Sequence, residues 1–292
     1  MARLFVDNLT VIDFSYLDFN RGVVGESLIV DIELVGKLNE QGMVFDFAAV
    51  KKQIKQFIDN EVDHRLLVPN DSPECNTAIL ANELAVEFPL KSGAIISYKS
   101  PKDAVLLIDT VAIKPTHIAK ILQEKISALL PDNVINVVIK LRNEEINSAY
   151  FQYTHGLQMH LGQCQRIAHG HRSRIEIKID SKRNQQLEIQ WANILADSYI
   201  ATDSHIIEEY KLNNISHTRL FYIAEQGEFA ITLPTKQLFK MPYVSTVENI
   251  AIYLSELIAN EHSGLISVKA FEGLNKGAFG EVKSSLSSNN SC

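Results

Sequence analysis

The sequence predicts an α+β protein made of two tandem copies of one unit, each an antiparallel sheet with helices on one face. Three observations predict it. Each half opens on two runs of alternating polar and apolar residues, the second of them SLIVDIELVG (27–36) and RSRIEIKID (172–180). Each half then carries two stretches with helical spacing of apolar residues and closes on a short strand run. The order ββααβ therefore occurs twice, with hairpin-like matter between the helices at Val86 to Ser97 and Leu220 to Leu233. The seam falls at RNEEINSAY (142–150). This gives a first domain over 1–145, a second over 146–282, and a Ser/Asn-rich tail over 283–292 that is expected to be disordered.

In the first half, strands are expected from Leu4 to Phe14 and from Ser27 to Val35, with a turn near Phe19 to Gly22. The run FDFAAVKKQIKQFIDNEV places Phe47, Val50, Ile54 and Phe57 on one helical face. A second helix, KPTHIAKILQEKISALLPD, opens at Thr116 and stops before Pro131, and a strand from Val134 to Leu141 closes the unit. In the second half the strands are 150–160 and Arg172 to Asp180. Helices are read over WANILADSYIATDSHIIEEY and YVSTVENIAIYLSELIANEHSG, where Ser245 to Glu248 fits a capping box. The closing strand is Leu265 to Phe271.

The totals exclude several classes. A chain of 292 residues with 46% hydrophobic and 22% charged residues suits two globular domains. A net charge of −7 without basic clusters argues against nucleic acid as a partner. No apolar run approaches the roughly 20 residues of a membrane span, and MARLFVDNL has no signal-peptide core. Three scattered cysteines, Cys75, Cys164 and Cys292, make no disulfide framework, so a reducing cytoplasm is the expected compartment.

Chemistry concentrates in FQYTHGLQMHLGQCQRIAHGHRSRIEI (151–177). On a strand, residues i and i+2 share a face, so His169 and His171 project together, and Gly170 between them obstructs nothing. If the chain reverses near Gly162, the antiparallel partner of residue 170 lies close to residue 155, and His155 comes across from the pair. Three neutral imidazoles with an open fourth position form a catalytic rather than a structural zinc site. Cys164 in the connecting loop strengthens that reading. At the matching place in the first half, Ser15 faces Val24-Gly25-Glu26, with none of the imidazoles and no thiol.

Together with GMVFDF (42–47), VDHRLL (62–67), STVEN (245–249) and VKAFEG (268–273), these motifs resemble the 6-pyruvoyltetrahydropterin synthase family, which includes the 6-carboxytetrahydropterin synthases of the queuosine route. The resemblance covers most of the chain as two diverged copies. It implies tunnelling-fold units that assemble into barrels as a homo-oligomer, a bound zinc ion, and 7,8-dihydroneopterin triphosphate as the small-molecule substrate. By motif it implies zinc ligands at His155, His169 and His171, a catalytic thiol at Cys164, and a pterin-anchoring Glu272 with Thr246 and Glu248 near the ring. The family's Asp-His pair is the departure. Aligning ISHTRLF with VDHRLLV gives the second half Ser216-His217, whereas the first half keeps Asp63-His64. Either His217 works alone, or Asp63 and His64 reach the second-half site across a boundary, as in a family that builds its sites at interfaces. The first half has Leu141 or Arg142 where the anchor belongs and is not expected to bind pterin by itself.

The implied product is 6-carboxy-5,6,7,8-tetrahydropterin, with 6-pyruvoyltetrahydropterin as the alternative. A pterin-binding assembly protein without chemistry, or a metallohydrolase of another small molecule, are the readings from other classes. Arg166, Arg172 and Lys269 are candidates for phosphate contact, set against ordinary surface roles.

Overall fold

The structure, a computed structural model, describes residues 1–286, without the side chains of residues 47–50. The first half runs β1 (Ala2–Asp18), β2 (Gly22–Gly36), α1 (Phe47–Glu61), β3 (Leu66–Pro69), β4 (Asn76–Leu80), β5 (Glu83–Pro89), β6 (Ile95–Pro101), β7 (Val105–Ile108), α2 (Pro115–Ser127) and β8 (Val134–Arg142). The second runs β9 (Tyr150–His155), β10 (His169–Ile179), a short β11 (Lys182–Arg183), α3 (Gln185–Leu195), β12 (Ser198–Thr202), β13 (Ile206–Leu212), β14 (Ile215–Ala224), β15 (Gly227–Pro234), β16 (Leu238–Met241), α4 (Val247–Ala259), β17 (Leu265–Phe271) and β18 (Gly277–Lys283).

Each half forms its own sheet, in the order β7-β3-β1-β2-β8 and β16-β12-β9-β10-β17-β18. The long hairpins are antiparallel, as expected, but β3, β7, β12 and β16 add in parallel. The matter between the helices is larger than a hairpin. Strands β4–β6 and β13–β15 join through β6 and β15 into one six-stranded sheet shared by both halves. Under it a core of Leu17, Val68, Phe88, Tyr199, Phe229 and Ile231 draws on both halves, so the repeats are fused by packing and not only by chain.

Helices cover one face of each main sheet. Ile54 and Ile58 of α1 and Ile118, Leu122 and Ile126 of α2 pack on Ile12, Phe14, Leu28 and Val30. Trp191, Leu195, Ile250 and Leu254 do the same on Tyr153, Ile175 and Ile177. Each of these buried side chains contributes about 1.5–3 kcal/mol. The other faces meet where the two hairpins cross. A Cβ on Gly25 would lie 1.8 Å from the Tyr153 carbonyl oxygen, and one on Gly170 would lie 2.5 Å from the Gly25 Cα, so only glycine permits this approach. Beside it the Ser15 and Thr154 hydroxyls hydrogen-bond at 2.8 Å.

Several expectations change. SYIAT is strand β12, not helix; α3 starts earlier, at Gln185, where Asn184 caps it by accepting from Leu187 N at 3.1 Å. Thr246, not Ser245, caps α4, accepting from Asn249 N at 3.3 Å. Helix α2 begins at Pro115, one residue before Thr116. Of the 283–292 tail, Lys283 ends β18, and residues 287–292 lie outside the described residues.

Candidate active site

Strands β9 and β10 pair His155 with His169, Thr154 with Gly170, and Tyr153 with His171. Directly paired residues share a face, so all three imidazoles project together. The partner of His155 is residue 169, one step from the 170 that the spacing suggested. The rings lie 4.5, 5.3 and 5.7 Å apart between centroids and are 0–1% exposed. One ligand nitrogen from each falls within 4.8 Å of the others.

The outer nitrogens of His155 and His169 are hydrogen-bonded, and that of His171 has only a carboxylate nearby. His155 Nδ1 donates to the Ser245 carbonyl at 2.8 Å and His169 Nδ1 to the Arg166 carbonyl at 2.9 Å, while His171 Nδ1 stands 3.3 Å from Asp13 Oδ1. Nε2 of all three is buried without a hydrogen-bond partner, and so is His171 Nδ1. Leaving such an atom unsatisfied costs about 1–3 kcal/mol each, so three converging on one point fit a shared cation. Burial, then the His171 ring, pushes His155 down to about 3; burial and the neighbouring imidazoles likewise hold His169 well below the usual range. Those two rings therefore offer neutral lone pairs, as metal ligation requires.

The first half completes the site. After α1 the chain turns through His64 at φ +56°, a left-handed conformation uncommon for a residue with a side chain. The turn is fixed by His64 N donating to the Asp13 carbonyl at 2.6 Å and Asp13 N donating to Asp63 Oδ1 at 2.7 Å. Asp63 Oδ2 then holds His64 Nδ1 at 2.6 Å. The His64 ring lies 4.9 Å from that of His169, and the ligating atoms of His64, Cys164 and His169 lie within 4.8 Å of one another. Burial alone would depress the His64 pKa; hydrogen bonds and charge from Asp63 and Cys164 outweigh it and push the ring up to about 10. Cys164 sits half-buried in the turn Gly162–Gln165.

Glu272 follows β17. Its Oε1 is 3.8 Å from His171 Nε2 and its Oε2 is 3.6 Å from Lys276 Nζ. Burial would raise its pKa, but interaction with the His171 ring and with the Lys276 ammonium holds it below the usual range, so it is a carboxylate. Gly273 beside it takes φ +63° with no room for a side chain: a Cβ would meet Asp13 Oδ1 at 2.6 Å. Asp13 is 4% exposed; its desolvation is outweighed by His171, Lys276 and Ser27, which keep it ionised.

The remaining expected residues lie elsewhere. His217 is on β14 of the shared sheet, where Nε2 accepts from Ile95 N at 3.2 Å, Nδ1 donates to the Ile215 carbonyl at 2.9 Å, and the ring stacks on Tyr210. It is a satisfied core histidine, not the counterpart of His64. Register identifies that counterpart: Ser15 pairs Gly25 and Leu66, as Thr154 pairs Gly170 and Tyr199, which aligns Asp63-His64 with Ala196-Asp197. Asp197 has φ +55°, matching His64. The same register places Tyr16, Val24 and Glu26 where the second half has His155, His169 and His171. It also places Asn143, rather than Leu141 or Arg142, at the position of Glu272. Beside Tyr16, the counterpart of His155, Arg21 grips Asp197 through Nε at 2.8 Å and donates to Tyr16 at 3.1 Å and Gln152 at 2.6 Å.

Thr246 serves as a helix cap and Glu248 is exposed in the first turn of α4; the segment reaches the imidazoles through the Ser245 carbonyl. Arg166 is buried and reaches the Asp63 and His64 carbonyls at 3.5 Å. Arg172 lies over Tyr150, and Lys269 over Phe271 and Phe279. Sequence reasoning passed over Asp13 and Lys276, although a lone Asp among the apolar residues of VIDFSYL was a visible signal.

Among known proteins, the family model for 6-pyruvoyl tetrahydropterin synthase matches residues 24–146 and again 146–282. A Pyrococcus horikoshii protein provisionally named 6-carboxy-5,6,7,8-tetrahydropterin synthase is 24% identical over 149 residues, 51% of this chain and 85% of that protein. The 6-pyruvoyl tetrahydropterin synthase structure from Plasmodium vivax is 18% identical, with a TM-score of 0.36, over 49% of this chain and 98% of that one. The Plasmodium falciparum structure gives 14%, 0.37, 48% and 97%. Two successive matches spanning the chain from residue 24 to 282 make it a member, as a tandem pair, of the 6-pyruvoyl tetrahydropterin synthase family of lyases.

Proposed function

We propose that the chain is a zinc-dependent synthase that converts 7,8-dihydroneopterin triphosphate to 6-carboxy-5,6,7,8-tetrahydropterin, with one reaction centre per chain. In this reading residues 146–282 form the zinc-binding domain, and 1–145 are a partner domain that has lost its own ligands. The observation that carries it is the set of three partnerless, buried Nε2 atoms beside a His64 gripped by Asp63 and facing Cys164. The name of the archaeal relative favours the carboxy product over the pyruvoyl one.

His155, His169 and His171 would hold the ion. Bound there, zinc supplies Lewis-acid stabilisation of charge on the oxygens of the substrate's hydroxylated side chain, worth several kcal/mol. The ion set His64–Cys164–His169 is the weaker alternative, because a His64 held protonated by Asp63 has no lone pair to give.

Loss of triphosphate and cleavage of the three-carbon side chain to one carboxyl carbon, with one water consumed and a two-carbon aldehyde released, require protons to leave and return at carbon and oxygen. Cys164, whose sulfur lies beside the His64 and His169 rings, is the group placed to take such a proton. His64 donates in turn, its position fixed by Asp63. The Glu272 carboxylate accepts paired hydrogen bonds from the amino and amide-like N–H edge of a pterin, and Lys276 holds it in place. The backbone of Asp13 sets Asp63, so the relay is built on a strand and not on a free loop.

The test combines metal analysis with product identification. Purified protein is expected to hold close to one zinc per chain and, with 7,8-dihydroneopterin triphosphate, to yield 6-carboxytetrahydropterin by mass spectrometry. Glu272→Ala is expected to abolish pterin binding and leave zinc in place. Folded protein with no zinc, or substrate binding without product, would overturn the proposal.

A further inference from the structure

Two of the three imidazoles are oriented by main-chain carbonyls of their own half, Ser245 for His155 and Arg166 for His169. The third is different. His171 Nδ1 faces a carboxylate from the other half, Asp13 Oδ1 at 3.3 Å. We propose that Asp13 is a positioning residue for metal binding: it holds the His171 ring in the tautomer and orientation that present Nε2 to the ion, which makes the metal affinity of the second half depend on the first. The inference rests on the zinc-site reading above and adds a residue to it.

Asp13 is itself fixed on every side. Ser27 Oγ donates to its Oδ1 in a short hydrogen bond, and Lys276 Nζ lies 3.5 Å from its Oδ2. Gly273, the residue after Glu272, closes over it, and any side chain there would strike Oδ1. The carboxylate therefore cannot swing away from His171 without breaking contacts in both halves. At 3.3 Å the two groups are in charge contact without hydrogen-bond alignment, and a carboxylate beside one ring nitrogen raises the basicity of the other.

Strand β1 gains a double duty from this residue. The side chain of Asp13 addresses a metal-ligand candidate, and its backbone N–H addresses Asp63, which holds His64. The equivalent residue of the second half is Gln152, an uncharged amide that donates to the Gly25 carbonyl and to Glu26 instead. At this strand position the carboxylate stands on the side of the crossing where the imidazoles are, and an amide stands on the other.

The experiment uses the full chain and the variants Asp13→Asn and Asp13→Ala. Zinc affinity is read by competition with a chromophoric chelator, ligand geometry by the visible spectrum of the cobalt-substituted protein, and folding by thermal melting of the metal-free protein. Asp13→Ala is expected to lower zinc affinity by about 10–100-fold, in the range for removal of such an outer partner. Asp13→Asn keeps the shape, gives up part of the metal-free stability with the loss of its Lys276 pair, and loses zinc affinity with a changed cobalt spectrum. A purely structural Asp13 would shift the melting point and leave the spectrum alone. Parent-like affinity and spectrum in Asp13→Asn overturn this inference while leaving the zinc site standing; an unsubstituted chain that binds no zinc overturns both.

Discussion

Replacing Gly25 by alanine tests the crossing of the hairpins most directly. The new methyl group would sit 1.8 Å from the Tyr153 carbonyl oxygen and 2.6 Å from His171 N, both main-chain atoms in paired strands that cannot rotate away. To regain an ordinary contact of 3.4 Å the two hairpins must part by about 1.6 Å. That movement stretches the buried 2.8 Å hydroxyl pair of Ser15 and Thr154 beyond hydrogen-bonding reach. Overpacking of this kind costs about 1–3 kcal/mol and the lost hydrogen bond about 1 kcal/mol more. The sum of roughly 3 kcal/mol corresponds to a fall in melting temperature of about 5 °C for a chain of 292 residues. His171 belongs to the displaced segment, so zinc affinity should fall with stability. Calorimetry and a chelator competition measure the two effects. A Gly25→Ala protein that melts within about 1 °C of the parent and binds zinc equally would refute the description of this contact.

Cys164→Ala is expected to keep its zinc and lose turnover by about 10²–10⁴-fold, which metal analysis and a product assay separate. His217→Ala leaves zinc content unchanged but removes a buried ring bonded at both nitrogens, so urea unfolding should show a loss of about 2–4 kcal/mol. Asp31 accepts from Arg142 at 2.8 Å and Asn8 N at 2.7 Å, and these bonds outweigh its desolvation to hold its pKa below the ordinary 3.8. Its depressed native pKa means that the stabilisation is present above 3.8 and is lost as pH falls through the native value. Asp31→Asn should therefore cost about 1 kcal/mol at pH 7 and progressively less in acid, as followed by unfolding titrations across that range.

Much of the imidazole cluster was legible because strand geometry is arithmetic. Alternation fixed the faces of His169 and His171, and a reversal near Gly162 brought His155 across from them. The amphipathic runs of α1, α2 and α4 were equally plain. What failed was anything set by distant pairing. ISHTRLF and VDHRLLV look alike as strings, yet only the pairing of β9 with β12 shows that Asp197, not His217, stands where His64 does. SYIAT follows a helix without a break in apolar spacing, and it is a strand because it adds in parallel beside β9 and β16. The shared sheet depends on β6 meeting β15, more than 100 residues apart, a contact that leaves no local trace. Asp13 was missed for the same reason, since its purpose lies in the other copy.

The reach of Asp63 and His64 into the imidazole cluster has a kinetic meaning. A centre divided between separate polypeptides comes apart when they are diluted; here both contributors are tethered, and closure is a unimolecular event. The tether also lifts a genetic restriction. In a chain that associates with its own kind, every substitution lands on both sides of the cleft at once, whereas here Arg21 could take over one side while the histidines stayed on the other.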